Sequence, residues 1–319
     1  MLVTGRHISK LSGYVPALPT PFDEEGNVDA PAFEQLCDLQ LANGATALVV
    51  CGTTGEAPTL SPAEHRELIR IAVAQARGRI PVIAGAGANA TAHAIELTRD
   101  AEATGADAAL SVVPYYNKPT QSGLYAHFRA IVQSTGLPII LYDVPSRTAC
   151  GLADETVARL AELPRIIGLK DAAGDATRPA RLRPLVGSKF KLLCGDDGLA
   201  LPYLAQGGDG CISVTSNVAP GRNMFLAWKH GQSVRAQRLA QLVAELTAVL
   251  FRETNPVPVK HALALLGLMS PTVRLPLVGL SDPHRAELSN VLLRLCDEHS
   301  EQMLGSVETA PANQRVALG

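Results

Sequence analysis

The segment RIIGLKDAAG, residues 165–174, is a short apolar run closed by a lysine. The residues before Lys170 are apolar at successive positions, which is typical of a strand that is buried on both faces of a parallel sheet. A lysine is almost never fully buried unless it is paired or has a function. The segment therefore predicts a buried strand, and it raises the question of what an amine does at the end of that strand.

Seven further segments share this pattern, with amphipathic helical segments between them. The eight predicted strands cover residues 14–22, 46–53, 80–87, 107–116, 138–145, 165–172, 191–197 and 210–217. Helix-start signals follow the first three of them, at Asp29, Ser61 and Asn89. Eight strand–helix units close a (β/α)8 barrel, so we predict an α/β fold of the TIM-barrel type. An open, doubly wound sheet is the alternative.

After residue 217 the strand pattern stops and a helical pattern replaces it. The predicted helices cover residues 219–231, 232–252, 256–268 and 282–300. We therefore predict a barrel over residues 12–218, C-terminal helices packed on that barrel over 219–300, and irregular termini over 1–11 and 301–319.

The composition is ordinary for a globular protein, with 47% hydrophobic residues, 18% charged residues and a formal net charge of −2. This balance gives no basic surface for nucleic acid or for a membrane. No apolar run is long enough to span a bilayer, and the N-terminal residues lack the apolar core of a signal peptide, so a cytoplasmic location is expected. The six cysteines form no C-x-x-C pair, which indicates reduced thiols rather than a zinc site.

The carboxyl ends of the strands carry the active site in a barrel of this type, so the residues there are the candidates. They include hydroxyls, the amine of Lys170 and one guanidinium, without the cluster of a metal site. An ordinary lysine has a pKa of about 10.4, but burial without an adjacent carboxylate lowers that pKa and frees a nucleophilic amine. Such an amine forms a Schiff base with a ketone or aldehyde. A structural salt bridge is the alternative role for this lysine.

Schiff-base chemistry needs repeated proton transfer, which a tyrosine close to the imine can provide. Tyr142 ends the strand that precedes the strand of Lys170. The other hydroxyls that could extend a relay to solvent are those of Thr53, Thr54, Tyr115 and Tyr116.

Two other features at the strand ends favour carboxylate ligands. The turn GTTG, residues 52–55, offers backbone N–H groups and hydroxyls that suit a small carboxylate. Arg147 follows the fifth strand and could bind a second carboxylate with two parallel hydrogen bonds.

The motifs at the strand ends, taken in order, resemble those of the pyruvate-dependent class I aldolases, the family of dihydrodipicolinate synthase and N-acetylneuraminate lyase. They are ALPTPF (17–22), GTTGE (52–56), PYYNKP (114–119), YDVPSRT (142–148), GLKDAAG (168–174), GDD (195–197) and GCISVTSN (210–217). The resemblance extends from residue 12 to about residue 298, and the arginine of PSRT resembles the synthase branch. It implies an enzyme that needs no cofactor or metal and that assembles as a homotetramer, a dimer of dimers.

The resemblance also implies a catalytic set. Lys170 would form the imine with pyruvate, and Tyr142 would be the central proton donor and acceptor. Thr53 would complete its relay together with Tyr116, which the neighbouring subunit would supply.

The substrate-binding residues are implied in the same way. Thr54 would bind the carboxylate of pyruvate, and Arg147 would bind the carboxylate of aspartate semialdehyde. Ile212 and Gly195 would line the pocket, and Tyr115 would pack at the subunit interface.

The chain departs from the synthase pattern in two places. Asp143 stands where asparagine is usual, and strand alternation points it away from the site. The family's allosteric lysine site is matched at His65, Asn89 and Tyr115, but His93 occupies the position of the glutamate that binds the ammonium group of lysine. We therefore expect weak inhibition by lysine or none.

The function that the resemblance implies is the condensation of pyruvate with a small aldehyde, aspartate semialdehyde, to 4-hydroxy-tetrahydrodipicolinate, on the route to diaminopimelate and lysine. A sibling 2-oxo-acid aldolase or dehydratase that acts on a sugar acid or a related acid is the first alternative. A non-catalytic binding protein on the same barrel is the second.

Overall fold

The computed structural model describes residue 8, residues 11–219 and residues 221–299. Within them, eight strands form one parallel sheet in the order β1-β8-β7-β6-β5-β4-β3-β2. The strands are β1 (Gly13–Pro16), β2 (Leu48–Val50), β3 (Val82–Gly85), β4 (Ala108–Val112), β5 (Ile139–Asp143), β6 (Ile166–Asp171), β7 (Lys191–Cys194) and β8 (Gly210–Ser213). All eight predicted strands are present, and each is shorter than predicted because the turn residues at its ends leave the ladder.

The two edges of the sheet meet, so the sheet closes into a barrel. Ala17, just after β1, pairs with Val49 of β2, and the Leu18 N–H donates to the Val49 carbonyl at 2.8 Å. At the β1–β8 seam, a Cβ at Gly210 would lie 2.3 Å from the Gly13 carbonyl oxygen, so only glycine allows the two strands to pair there. The predicted (β/α)8 barrel is confirmed, and the open sheet is excluded.

Side chains alternate along each strand between the barrel interior and the layer of helices. The interior cluster contains Val15, Val49, Ile83, Leu110, Ile140, Tyr142, Leu193 and Ile212. The residues between them, such as Val50, Leu141 and Leu169, belong to a second cluster that includes the helices. Burial on both faces explains why the strands appear as continuous apolar runs in the sequence.

The helices follow the strands around the barrel. They are α1 (Ala30–Ala42), α2 (Pro62–Ala76), α3 (Thr91–Thr104), α4 (Gln121–Gln133), α5 (Pro145–Thr148), α6 (Asp154–Ala161), α7 (Arg178–Val186), α8 (Ala200–Ala205), α9 (Arg222–Lys229), α10 (Ser233–Leu250), α11 (Val257–Leu265) and α12 (Asp282–His299). Asp29 caps α1, and Ser61 with Glu64 forms a capping box on α2. The start signal at Asn89 is displaced by one residue, because the cap of α3 is Ala90, which makes no side-chain capping bond.

The C-terminal helices pack on the barrel through α1. Ala32 and Leu36 of α1 share a buried cluster with Leu246 of α10, Leu263 of α11 and Leu288 of α12. The boundary between barrel and C-terminal helices at residues 218 and 219 stays a prediction. The irregular termini predicted for residues 1–11 and 301–319 lie almost entirely outside the described residues. In the described part of the chain, no helix is both long enough and apolar enough to cross a membrane.

Candidate active site

Lys170 and Tyr142 lie side by side at the carboxyl ends of two paired strands. The register of β5 and β6 places Tyr142 directly opposite Lys170. Both side chains are buried, with 6% and 7% of their surface exposed, and the Lys170 Nζ lies 4.2 Å from the centroid of the Tyr142 ring. The ammonium group thus contacts an aromatic face, and in the described residues it forms no ion pair with a carboxylate.

Gly195 packs against the Lys170 side chain, and Ile212 lies in the barrel interior. A Cβ at Gly195 would lie 3.1 Å from Lys170 Cε and 3.2 Å from Cγ, so the absence of a side chain there leaves room for the lysine. Ile212 is 1% exposed and belongs to the barrel interior. Of the two residues that the resemblance assigns to the pocket wall, Gly195 contacts Lys170 and Ile212 faces the barrel interior.

The carboxylates of Asp143 and Asp171, which follow Tyr142 and Lys170 in the chain, face the opposite side of the strands. Arg178 of α7 donates from Nη1 to Asp143 at 2.8 Å and to Asp171 at 3.1 Å, and all three side chains are at least 96% buried. Burial raises the pKa of both carboxyl groups, and Arg178 opposes this rise. Strand alternation places Asp143 behind Tyr142, as predicted, and Asp171 behind Lys170. The acidic pair is thus kept on the outer side of the barrel.

The turn after β2 provides the two predicted threonines. Thr54 is 3% exposed, and its Oγ1 accepts a hydrogen bond from Asn255 Nδ2 at 3.1 Å. Thr53 is partly exposed, and its carbonyl accepts the N–H of Glu56 at 3.1 Å, which closes a tight turn. Arg147, in α5, donates from Nη2 to the carbonyl of Asn255 at 3.3 Å. One residue of the C-terminal region therefore contacts both predicted carboxylate-binding side chains.

Tyr115 and Tyr116 follow β4 and face outward from the chain. They are 38% and 88% exposed, and Tyr116 has a positive φ of 73°. No hydrogen bond joins the hydroxyls of Thr53, Tyr142 and Tyr116 within the residues that the structure describes. A single chain therefore brings together Lys170 and Tyr142 but leaves Tyr116 on the surface.

The residues matched to the allosteric site are only partly available to a ligand. His65 is buried in α2, its Nε2 donates to the Gly85 carbonyl at 2.8 Å, and burial lowers its pKa. The Asn89 carbonyl accepts from Asn117 Nδ2 at 2.8 Å. His93 is exposed and lies 3.4 Å from a Glu96 oxygen, on the same helix.

A buried ion pair that the sequence reading missed lies beneath the threonine turn. Lys260 of α11 is 0% exposed, and its Nζ lies 2.6 Å from Oε1 of Glu56, whose side chain is 1% exposed. Burial lowers the pKa of Lys260 to about 8, while Glu56 opposes that shift. A lysine inside the apolar run VPVKHALALL was the available signal, because it has the same form as the signal of Lys170.

Arg274 strengthens the contact between this turn and the C-terminal region. Its backbone N–H donates to Glu56 Oε2 at 3.0 Å, and its guanidinium donates to Glu64 Oε2 at 3.1 Å and to the Thr59 carbonyl at 2.8 Å. The hydrogen bonds from Arg274 lower the pKa of Glu64 to about 2. Lys260 and Arg274 both contact the ring of the buried Phe22, at 4.1 and 4.2 Å from its centroid. The segment from Glu56 to Glu64 is thus bound at both of its ends to residues of the C-terminal region.

No three His, Cys, Asp or Glu side chains in the described residues lie together as metal ligands would. The prediction that the site uses neither a metal nor a cofactor stays a prediction.

The sequence profile of the dihydrodipicolinate synthetase family matches residues 10–295. The 4-hydroxy-tetrahydrodipicolinate synthase of Rhodospirillum centenum is 50% identical over 268 residues, which cover 83% of this chain and 92% of the relative. The enzyme of the same name from Thiobacillus denitrificans is 51% identical over 276 residues, or 86% of this chain and 93% of the relative.

This chain belongs to the dihydrodipicolinate synthetase family. A solved structure supports this membership independently of the profile. The dihydrodipicolinate synthase of Acinetobacter baumannii, crystallised with pyruvate, superposes with a TM-score of 0.87 at 44% identity, and the match covers 89% of this chain and 98% of that one. The family resemblance predicted from the strand-end motifs is therefore confirmed.

The ion pair between Glu56 and Lys260 gives a first test of the site's architecture. Replacing Lys260 with methionine leaves the buried carboxylate of Glu56 without its ammonium partner, so we expect the free energy of unfolding to fall by about 3–5 kcal/mol. The double change Glu56→Gln/Lys260→Met removes both charges and should recover part of this loss. Chemical denaturation followed by circular dichroism measures both effects.

The control is an ion pair on the surface. Glu67 and Arg70 are 46% and 61% exposed, and we expect Glu67→Gln to leave the denaturation midpoint unchanged within error. An unchanged midpoint for Lys260→Met would contradict the burial of the Glu56–Lys260 pair.

Proposed function

We propose that this protein is a lyase that condenses pyruvate with aspartate 4-semialdehyde to give 4-hydroxy-tetrahydrodipicolinate. The observation that carries the proposal is the buried amine of Lys170 beside the Tyr142 ring, with Asp143 and Asp171, which follow these two residues in the chain, bound on the other side of the strands by Arg178. The names of the similar proteins support the same reaction. The product would enter the synthesis of diaminopimelate and lysine.

The chemistry follows from the position of the amine. Lys170 attacks the keto carbon of pyruvate, and loss of water forms an imine, which acidifies the neighbouring methyl group. Loss of a methyl proton gives an enamine whose carbon attacks the aldehyde of the second substrate. The amino group of that substrate then displaces Lys170 from the imine carbon and closes the ring of the product. Tyr142, whose ring contacts the Lys170 ammonium, is placed to serve the proton transfers.

The two substrates each present a carboxylate. In the proposal, Thr54 and the backbone of its turn bind the carboxylate of pyruvate, and Arg147 binds that of aspartate semialdehyde. Both side chains contact Asn255, which supports the idea that they serve one continuous pocket. We propose that Gly195, which packs against Lys170, and Ile212, which faces the barrel interior, form its wall.

The proton relay that we propose involves a second copy of the chain. Tyr116 is 88% exposed in the single chain, and its positive φ holds it in a conformation that is uncommon for a residue with a side chain. Such strain is typical of residues held for a function. We propose that Tyr116 reaches the Tyr142–Thr53 pair of a neighbouring subunit, with Tyr115 in the interface, in a homotetramer built as a dimer of dimers.

We place the enzyme in the cytoplasm. The five cysteines that the structure describes are all free thiols, and four of them are buried, which is compatible with a reducing compartment. The proposed product would be used in the synthesis of diaminopimelate and lysine, which is also compatible with a cytoplasmic location.

Trapping of the imine tests the reaction. Incubation with pyruvate and borohydride should attach one pyruvate-derived group to Lys170, as measured by peptide mass spectrometry, and Lys170→Ala should abolish the label. Lys260 is an internal control, because it is also buried, at 0% exposed against 6% for Lys170, but is paired with Glu56 and should stay unlabelled. An unlabelled protein would support the non-catalytic binding alternative and overturn the proposal.

A coupled assay with aspartate semialdehyde tests the second substrate. We expect turnover with this aldehyde, and we expect Arg147→Ala to raise its KM by about tenfold or more, because a charge-assisted pair of hydrogen bonds is lost. Labelling by pyruvate together with turnover of sugar acids only would favour the sibling aldolases.

Mixing of inactive variants tests the role of Tyr116. Co-expression of Lys170→Ala with Tyr116→Phe should restore activity above that of either variant alone. One site of the mixed dimer then combines the intact Lys170 of the Tyr116→Phe chain with the intact Tyr116 of the Lys170→Ala chain. The matched control combines Lys170→Ala with Tyr142→Phe, whose residues lie in the same chain, so no intact site can form. Equal inactivity of the two mixtures would contradict a shared site.

Titration with lysine tests the regulatory expectation. Because His93 offers an imidazole where the effector's ammonium would need a carboxylate, and His65 is bonded to the Gly85 carbonyl, we expect weak inhibition or none. The variant His93→Glu should increase the sensitivity to lysine. Strong sub-millimolar inhibition of the unmodified enzyme would contradict this expectation.

A further inference from the structure

Asn255 lies where the C-terminal helices meet the open end of the barrel. It stands two residues before α11 and is 6% exposed. Its side-chain Nδ2 donates to Thr54 Oγ1 at 3.1 Å, and its main-chain carbonyl accepts from Arg147 Nη2 at 3.3 Å. Its Oδ1 is buried and has no hydrogen-bond partner in the described structure. Side chain and main chain of one residue therefore hold two different groups of the site.

The direction of the bond to Thr54 matters for the chemistry of that hydroxyl. A hydroxyl can donate only one hydrogen bond, while it can accept two. Because Asn255 donates to Thr54, the proton of Thr54 stays free to be donated elsewhere. A carboxylate only accepts hydrogen bonds, so this arrangement prepares Thr54 for a carboxylate ligand.

A neighbouring ion pair holds together the two segments that carry Thr54 and Asn255. Glu56, two residues after Thr54, binds Lys260 of α11 at 2.6 Å, and Lys260 follows Asn255 by five residues. The turn and the start of α11 therefore cannot move independently of each other.

We propose that Asn255 is a positioning residue for both substrate carboxylates, with its amide orienting the Thr54 hydroxyl and its carbonyl orienting the Arg147 guanidinium. The inference rests on the proposed function and adds to it a residue outside the barrel strands. A substitution of Asn255 can separate the two roles, since the bond to Thr54 uses the side chain and the bond to Arg147 uses the main chain.

This separation predicts different effects on the two substrates. Asn255→Ala should raise the pyruvate concentration for half-maximal borohydride trapping by about five- to tenfold, as expected for one lost hydrogen bond. The KM for aspartate semialdehyde should stay within about twofold, because the carbonyl that holds Arg147 is retained. A purely structural role would lower the amount of folded enzyme and leave both constants unchanged.

Asn255→Asp provides a second variant of nearly the same volume, should the alanine variant fold poorly. The new carboxylate accepts the Thr54 proton and adds a negative charge next to the carboxylate of pyruvate, so the rise should exceed that of the alanine variant.

Two controls make the test specific. Asn217 is another buried asparagine, 3% exposed, whose Nδ2 donates to the carbonyls of Ala17 and Val214. Asn217→Ala should lower stability without changing the half-saturation by pyruvate. In a Thr54→Val background, Asn255→Ala should have almost no further effect, since a residue that acts through Thr54 is silent once the hydroxyl is gone.

The outcomes separate this inference from the proposed function. If the unmodified protein is not labelled by pyruvate at Lys170, both are overturned. If it is labelled, and Asn255→Ala and Asn255→Asp show the half-saturation of the unmodified protein, the positioning role alone is overturned. An equal rise in both constants, or full additivity with Thr54→Val, would also overturn it.

Discussion

The in-register pairing of β5 with β6 is the constraint on which the site depends. It places Lys170 opposite Tyr142 on the interior face, so the amine contacts an aromatic ring instead of a carboxylate. The alternation of the same strands sends Asp143 and Asp171 to the exterior, where Arg178 binds both. A slip of one residue would exchange the two faces and put an acid beside the amine.

The protein therefore buries several charged side chains, and the position of each one decides whether it has an oppositely charged partner. One lysine, Lys170, lies over a ring and has no ion-pair partner in the part of the chain that the structure describes, whereas another, Lys260, is paired with Glu56 at 2.6 Å. The paired lysine joins a C-terminal helix to the turn that carries Thr54, and Asn255 adds a second connection to the same turn, at Thr54. The C-terminal helices are thus part of the site's framework and not only a cover for α1.

Much of this could be predicted from the sequence, because the deciding patterns are local. Apolar runs, caps and strand-end motifs gave the barrel and the positions of Lys170 and Tyr142. The pairs Glu56–Lys260 and Asn255–Thr54 join residues 204 and 201 positions apart, and no periodicity encodes such contacts. The predicted strands are longer than the observed ones, since many of the turn residues next to them are also apolar and continue the strand pattern. The partner that we propose for Tyr116 lies in a second chain, and no local pattern of the sequence locates it.

The connection between Glu56 and Lys260 has a consequence for the order in which the molecule can mature. On the ribosome, the turn of Glu56 is synthesised 204 residues ahead of its ammonium partner. Until α11 has left the exit tunnel, Glu56 lacks the ammonium of Lys260, and Thr54 lacks the hydrogen bond from Asn255. The eight strands can associate earlier, but the turn of Glu56 gains its contacts with Asn255 and Lys260 only when α11 docks.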